Sequence, residues 1–196
     1  WIVGFKPNLQ LPDGKIPAVD VLHLHHGVWA VATRRDTTSP FFPERFVAAG
    51  EEKTALEFPE GYGYRYSPND YWYLNYMIHN LWPKATKVWV TYDVDLVPAD
   101  TPEAAALTPA RPVWTDVQNG SAYPVFDALR DSGTEGTFTY PDQAPDPYAG
   151  GAPKNAWTAD RDLVLVATGG HLHPGGLHTD LWLERGGAKA QLFSSI

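Results

Sequence analysis

The chain has 196 residues, a length that suits one large or two small domains with a substantial core. Its 15 Lys and Arg against 23 Asp and Glu give a formal charge of −8, which argues against nucleic acid or an anionic membrane surface as partner, because both need clustered cations. With 17 Gly, 18 Pro, eight Trp and ten Tyr but only 19% charged residues, the composition disfavours a helical bundle and favours an all-β, loop-rich fold.

Residues 1–5 predict a short apolar strand ending at Lys6-Pro7-Asn8, and Pro12-Asp13-Gly14 predicts a turn. Residues 19–33 form a long apolar stretch broken only by Asp20 and three His. Residues 34–60 are loop-rich, with Pro40, Pro43 and Pro59, and residues 51–56 suit one helical turn. Tyr62, Tyr64 and Tyr66 recur at the period of a strand. After a turn at Pro68-Asn69-Asp70, residues 71–80 predict an aromatic strand. The clearest alternation spans residues 88–96: Val88, Val90, Tyr92, Val94 and Leu96 share one face, with Thr91, Asp93 and Asp95 on the other. Asp93 and Asp95 fit the wet face of that strand.

Pro98, Pro102, Pro109 and Pro112 mark a linker, placed at residues 101–112, between domains at 1–100 and 113–196. Residues 139–154 read as a surface loop, residues 163–173 as a strand, Pro174-Gly175-Gly176 as a tight turn and residues 177–184 as the returning strand. The expected fold is one elaborate β-sandwich or two packed ones. No apolar run approaches the roughly 18 residues of a membrane span. With no Cys in the chain, disulfides, thiolate zinc sites and Cys nucleophiles are excluded. A chain opening at Trp1 without Met suggests a processed leader, and one stopping after a strand-like segment suggests a fragment.

The chemistry is concentrated in seven His: His23, His25, His26, His79, His171, His173 and His178. Two clusters contain His-x-His, and on a strand such residues face the same way, a spacing that suits one metal ion. Neutral imidazole ligates Cu, Zn, Ni and non-haem Fe, and without Cys only nitrogen and oxygen donors remain. In His23-Leu24-His25-His26, regular alternation pairs His23 with His25, whereas a bulge permitted by Gly27 pairs His25 with His26. Three His in four residues on an apolar strand point to metal rather than core hydrogen bonding, since each buried imidazole needs its own partner. His79 ends its strand beside Met77, which suits core packing better than ligation. A hairpin at Gly175-Gly176 would place His173 opposite His178 and make His171, His173 and His178 a candidate three-nitrogen site.

In order along the chain, Trp1-Ile2-Val3-Gly4-Phe5-Lys6-Pro7, His25-His26-Gly27-Val28-Trp29, Pro59-Glu60-Gly61-Tyr62-Gly63-Tyr64, Leu74-Asn75-Tyr76-Met77-Ile78-His79-Asn80 and His171-Leu172-His173 resemble motifs of the copper type II, ascorbate-dependent monooxygenases. The peptidylglycine α-hydroxylating and dopamine β-monooxygenases typify that family, and the nearer likeness is to stress-up-regulated Nod-type proteins of bacteria and plants. The resemblance implies two jelly-roll β-sandwich domains, the second incomplete in this chain, with one copper in each. His25, His26 and His79 would hold the electron-supplying copper, and His171 and His173 the catalytic copper that activates dioxygen. It implies hydroxylation of a C–H bond in a small molecule, with ascorbate or another reductant restoring both metals, outside the cytoplasm.

Three departures bear on this. The family's Met ligand has no counterpart after Met77, so it lies in a further C-terminal polypeptide or another chain, His178 replaces it, or the site is no oxygenase site. Gly169 stands where the peptide-hydroxylating members carry an arginine, which argues against a peptidylglycine substrate. The animal enzymes are disulfide-bonded and this chain lacks Cys. The competing expectations are a non-catalytic copper-binding surface protein of the same fold, and a zinc or iron site of His171, His173 and His178 in a cupin-like sandwich.

Overall fold

A computed structural model describes residues 1–115, 156–172 and 177–196. Among them the protein is all-β, with ten strands and one five-residue helix. The chain divides into two compact units, Trp1–Val113 with Val164–Ala167, and Trp114–Leu163 with Thr168–Ile196. No described helix is long and apolar enough to cross a membrane.

The first unit contains β1 (Ile2–Gln10), β2 (Leu22–Arg35), β3 (Pro43–Gly50), β4 (Leu56–Glu57), β5 (Tyr62–Gly63), β6 (Trp72–Asn80), β7 (Trp89–Leu96), α1 (Pro102–Ala106) and β8 (Thr108–Pro109). One antiparallel sheet has the order β4-β1-β7 and another β3-β2-β6, while β5 pairs with β8 in parallel. The two three-stranded sheets share one core. Ile2, Phe5 and Leu9 from β1 are buried with Leu22, Leu24, Trp29 and Val31 from β2 and Phe46, Val47 and Ala49 from β3. Phe5 is its centre, with ring centroids 5.2 Å from Trp29, 5.9 Å from Phe46, 6.0 Å from Trp72 and 5.1 Å from Tyr92. Each fully buried large apolar side chain of this kind stabilises the fold by about 1.5–3 kcal/mol. At the end of β2, Arg34 donates to Glu44, Tyr64 and Asp70, so three other segments pin that strand.

The second unit presents one antiparallel hairpin among its described residues, β9 (Thr179–Arg185) with β10 (Ala188–Ser195). Gly186 and Gly187 form its turn at φ of 58° and 81°, the left-handed pair a two-residue hairpin loop requires.

Several sequence expectations change. β1 runs through Lys6-Pro7-Asn8 and pairs along its length with β7. Pro7 is tolerated because β4 lies opposite only Gly4 and Phe5, so no ladder on that edge calls on a Pro7 N–H. The loop-rich region contains β3, and residues 51–56 form a turn leading into β4 rather than a helical turn, closed by Lys53 N–H donating to the Gly50 carbonyl. The stretch expected as a linker folds onto the first unit: Thr101 caps α1, β8 pairs with β5, and Thr37 donates to the Pro112 carbonyl. Residues 163–172 form no strand, so the strand at residues 177–184 has its partner after it in β10 instead of before it. Met77 is 41% exposed and is not core. The proposed loop at 139–154 and the turn at 174–176 lie outside the described residues.

Candidate metal centre

The apolar residues of β2 change phase along the strand. Leu22 and Leu24 face the core at even positions, whereas Trp29 and Val31 face it at odd ones. A strand with period 2 cannot bury both sets unless it gains one residue between them. The ladder to β6 shows where: Leu24 is opposite Ile78 and His26 opposite Met77, which leaves His25 as the extra residue of a bulge. A bulge turns two successive side chains toward one side, and the His25 and His26 rings accordingly lie 4.5 Å apart. His23 is opposite His79 in the same ladder. The core thus takes the leucines, and the sheet's other face collects imidazoles.

Nitrogen atoms of His23, His25 and His79 all lie within 4.8 Å of one another. The rings of His25 and His79 stack at 4.1 Å and 14°, and His23 meets His79 edge-on at 5.2 Å. An ion with metal–nitrogen bonds of about 2 Å holds tetrahedral ligand atoms roughly 3.4 Å apart, so modest ring rotations close this set on one ion. His25 is buried, at 7% exposure, and His23 nearly so.

The orientation of His23 is fixed from outside the cluster. Its Nδ1 lies 2.6 Å from the Val19 carbonyl oxygen. A carbonyl only accepts, so Nδ1 carries the proton and the neutral ring directs the bare Nε2 inward, the arrangement by which second partners orient metal-binding histidines. Burial holds His79 below the ordinary value of 6.5, and the neighbouring His25 and His23 push it in the same direction. Its neutral, metal-ready form is therefore favoured.

A residue unforeseen in the sequence stands beside the cluster, against His23 and His25. Glu51, the first residue after β3, brings Oε2 to 3.0 Å from His23 Nε2 and 3.5 Å from His25 Nδ1. The register of β3 on β2, which sets Gly50 opposite His26, delivers it there. Only the non-local pairing of two strands reveals this, which is why local pattern missed it.

The remaining expected ligands are placed differently. His26 neighbours His25 but lies outside the group of three, so the structure joins His23, not His26, to His25 and His79. His171 is exposed and outside any strand. His178 is 54% exposed, with Nδ1 3.2 Å from Asp180 Oδ1. His173 and its pairing with His178 lie outside the described residues. Among the described residues, His23, His25 and His79 are the one group of three His, Asp or Glu close enough to share an ion.

Fold and site together define an all-β protein with a three-imidazole cluster on the outer face of a sheet. Comparison with protein-family models, curated proteins and solved structures finds no match. Chemically, three neutral imidazoles beside one carboxylate suit a borderline first-row transition metal.

Proposed function

We propose that this protein binds copper through His23, His25 and His79 and acts as a copper-dependent monooxygenase-like protein. In this reading it hydroxylates a C–H bond of a small molecule with dioxygen and a reductant such as ascorbate, outside the cytoplasm. The convergence of three imidazole nitrogens within 4.8 Å carries the reading. Copper in such a site supplies single electrons by cycling between its two common oxidation states. The chain's own part is to hold the site ready. The bulge at His25 gathers the rings, the Val19 carbonyl keeps the His23 proton on Nδ1, and desolvation with the neighbouring His25 and His23 lowers the His79 pKa and so favours its neutral form. His171 and His173 would serve the dioxygen-activating copper.

The placement of His178, half-exposed and paired with Asp180, favours a second reading: a non-catalytic copper-binding protein with this one centre. Copper analysis together with ascorbate-driven oxygen consumption separates the two. Two coppers per chain with oxygen uptake support the enzyme, and one copper without uptake supports the binding protein. A chain that retains no copper after loading and desalting overturns both.

A further inference from the structure

We propose that Glu51 is itself a ligand of the ion held by His23, His25 and His79, completing a shell of three nitrogens and one carboxylate oxygen. The proposal rests on the metal-binding reading above and deepens it.

His23 Nδ1 donates to the Val19 carbonyl, so Nε2 of the neutral ring carries a lone pair. That lone pair faces Glu51 Oε2 at 3.0 Å. Two electron-rich atoms so close repel unless a cation lies between them or bridges them. A proton on Nε2 would make the pair a charge-assisted hydrogen bond, yet Nε2 is buried and makes no hydrogen bond. An ion bridging the two atoms needs no such bond. Two ligand atoms at about 2.0–2.1 Å from one ion stand roughly 3.0 Å apart when the angle between them is near 90°. The observed separation from His23 meets that condition, and the same oxygen lies 3.5 Å from His25 Nδ1, within hydrogen-bond distance; it stands outside the set of atoms that all lie within 4.8 Å of one another, so an ion would have to draw it in toward His79.

The backbone is shaped to bring the carboxylate in. A Cβ at Gly50 would stand 2.6 Å from the His25 carbonyl oxygen, so β3 approaches β2 at a distance only glycine allows. Glu51 follows at once, and the turn closed by Lys53 N–H on the Gly50 carbonyl holds it over the rings. A carboxylate is a harder donor than imidazole and favours a divalent ion, so Glu51 would bias the centre toward Cu(II) over Cu(I).

The test compares the whole chain with Glu51→Gln, Glu51→His and the neighbouring Glu52→Gln. Chelator competition gives the affinities for Cu(II) and Cu(I), and electron paramagnetic resonance gives the Cu(II) ligand set. Glu51→Gln should weaken Cu(II) about 10–100-fold, weaken Cu(I) less, and change the Cu(II) spectrum. Glu51→His should recover Cu(II) binding with an all-nitrogen spectrum, which also shows that the position tolerates replacement, and Glu52→Gln should match the wild type. If Glu51→Gln and Glu51→His keep the wild-type Cu(II) affinity and spectrum, Glu51 is not a ligand, while the three-histidine site stands. A wild-type chain that binds neither Cu(II) nor Cu(I) overturns the metal reading itself, and Glu51 with it.

Discussion

The two units use similar residues to different ends. In the first, large aromatic and aliphatic side chains from two sheets close on Phe5, and histidines fall on the opposite face of β2 and β6. In the second, the β9–β10 hairpin leaves Trp182 at 44%, Leu183 at 48% and Leu192 at 48% exposure, and His178, just before β9, pairs with Asp180. A His-rich sequence therefore becomes a metal-ready cluster where a core fixes register on one face of the strand. The difference lies in packing, since imidazoles occur in both.

The largest effect expected from this contrast is on stability. Phe5→Ala removes the ring that four other aromatics surround and should cost about 3–5 kcal/mol in urea unfolding. Trp182→Ala, whose ring lies 5.0 Å from the Lys189 ammonium on an open face, should stay within about 0.5–1 kcal/mol. Equal costs would erase the distinction between the packed core around Phe5 and the exposed face of the β9–β10 hairpin. Next comes metal uptake. His25→Ala removes the buried member of the cluster and should lower copper affinity by about a hundredfold or more, since even outer partners of a site typically account for 10–100-fold. His178→Ala should leave the affinity at the triad unchanged. Equal losses on titration would mean that the triad is not the centre.

Much of the first unit was legible in the sequence. Period-2 alternation located β6 and β7 to within one residue, because their inward valines and aromatics stand against polar neighbours. The three His at residues 23–26 marked β2 as the place of the chemistry. Which His would converge was not legible, although the phase slip from Leu22 and Leu24 to Trp29 and Val31 does signal the bulge. β3 was hidden among prolines, and with it Glu51. In the second unit the strand expected at residues 163–173 is absent over its described residues, and β9 takes β10 as its partner. Gly186-Gly187, both at positive φ, form the turn between them. The jelly-roll topology rests on the resemblance alone.

A smaller effect tests how β3 serves the site. Gly50→Ala places a methyl 2.6 Å from the His25 carbonyl oxygen and 2.5 Å from a Glu52 carboxylate oxygen. The carboxylate can swing away, but the carbonyl belongs to the bulge, so the end of β3 must move outward. Copper affinity should fall roughly tenfold, toward the lower end of effects seen when a ligand's support is disturbed, and the second-unit variant Gly169→Ala, with no atom near its added methyl, should not alter it. Unchanged binding in Gly50→Ala would show that Glu51 reaches the rings without this close crossing.

The smallest effect is in the pH dependence of the metal-free protein. Burial and two neighbouring imidazoles lower the pKa of His79 in the folded state below the ordinary 6.5. As pH falls through that ordinary value, the unfolded chain takes up a proton at this position before the folded one does. Stability must then rise with pH across the interval between the two values, be fully present above 6.5, and decline as acid approaches the folded-state value. Chelator-treated wild type should therefore lose more thermal stability than His79→Gln between about pH 7.5 and 5.5, the difference isolating His79 from every other titrating group. Parallel losses would place His79 in water and away from His23 and His25. Its removal from the cluster would leave two ring nitrogens on one strand, and the cross-strand pairing of β2 with β6 would no longer be what assembles the site.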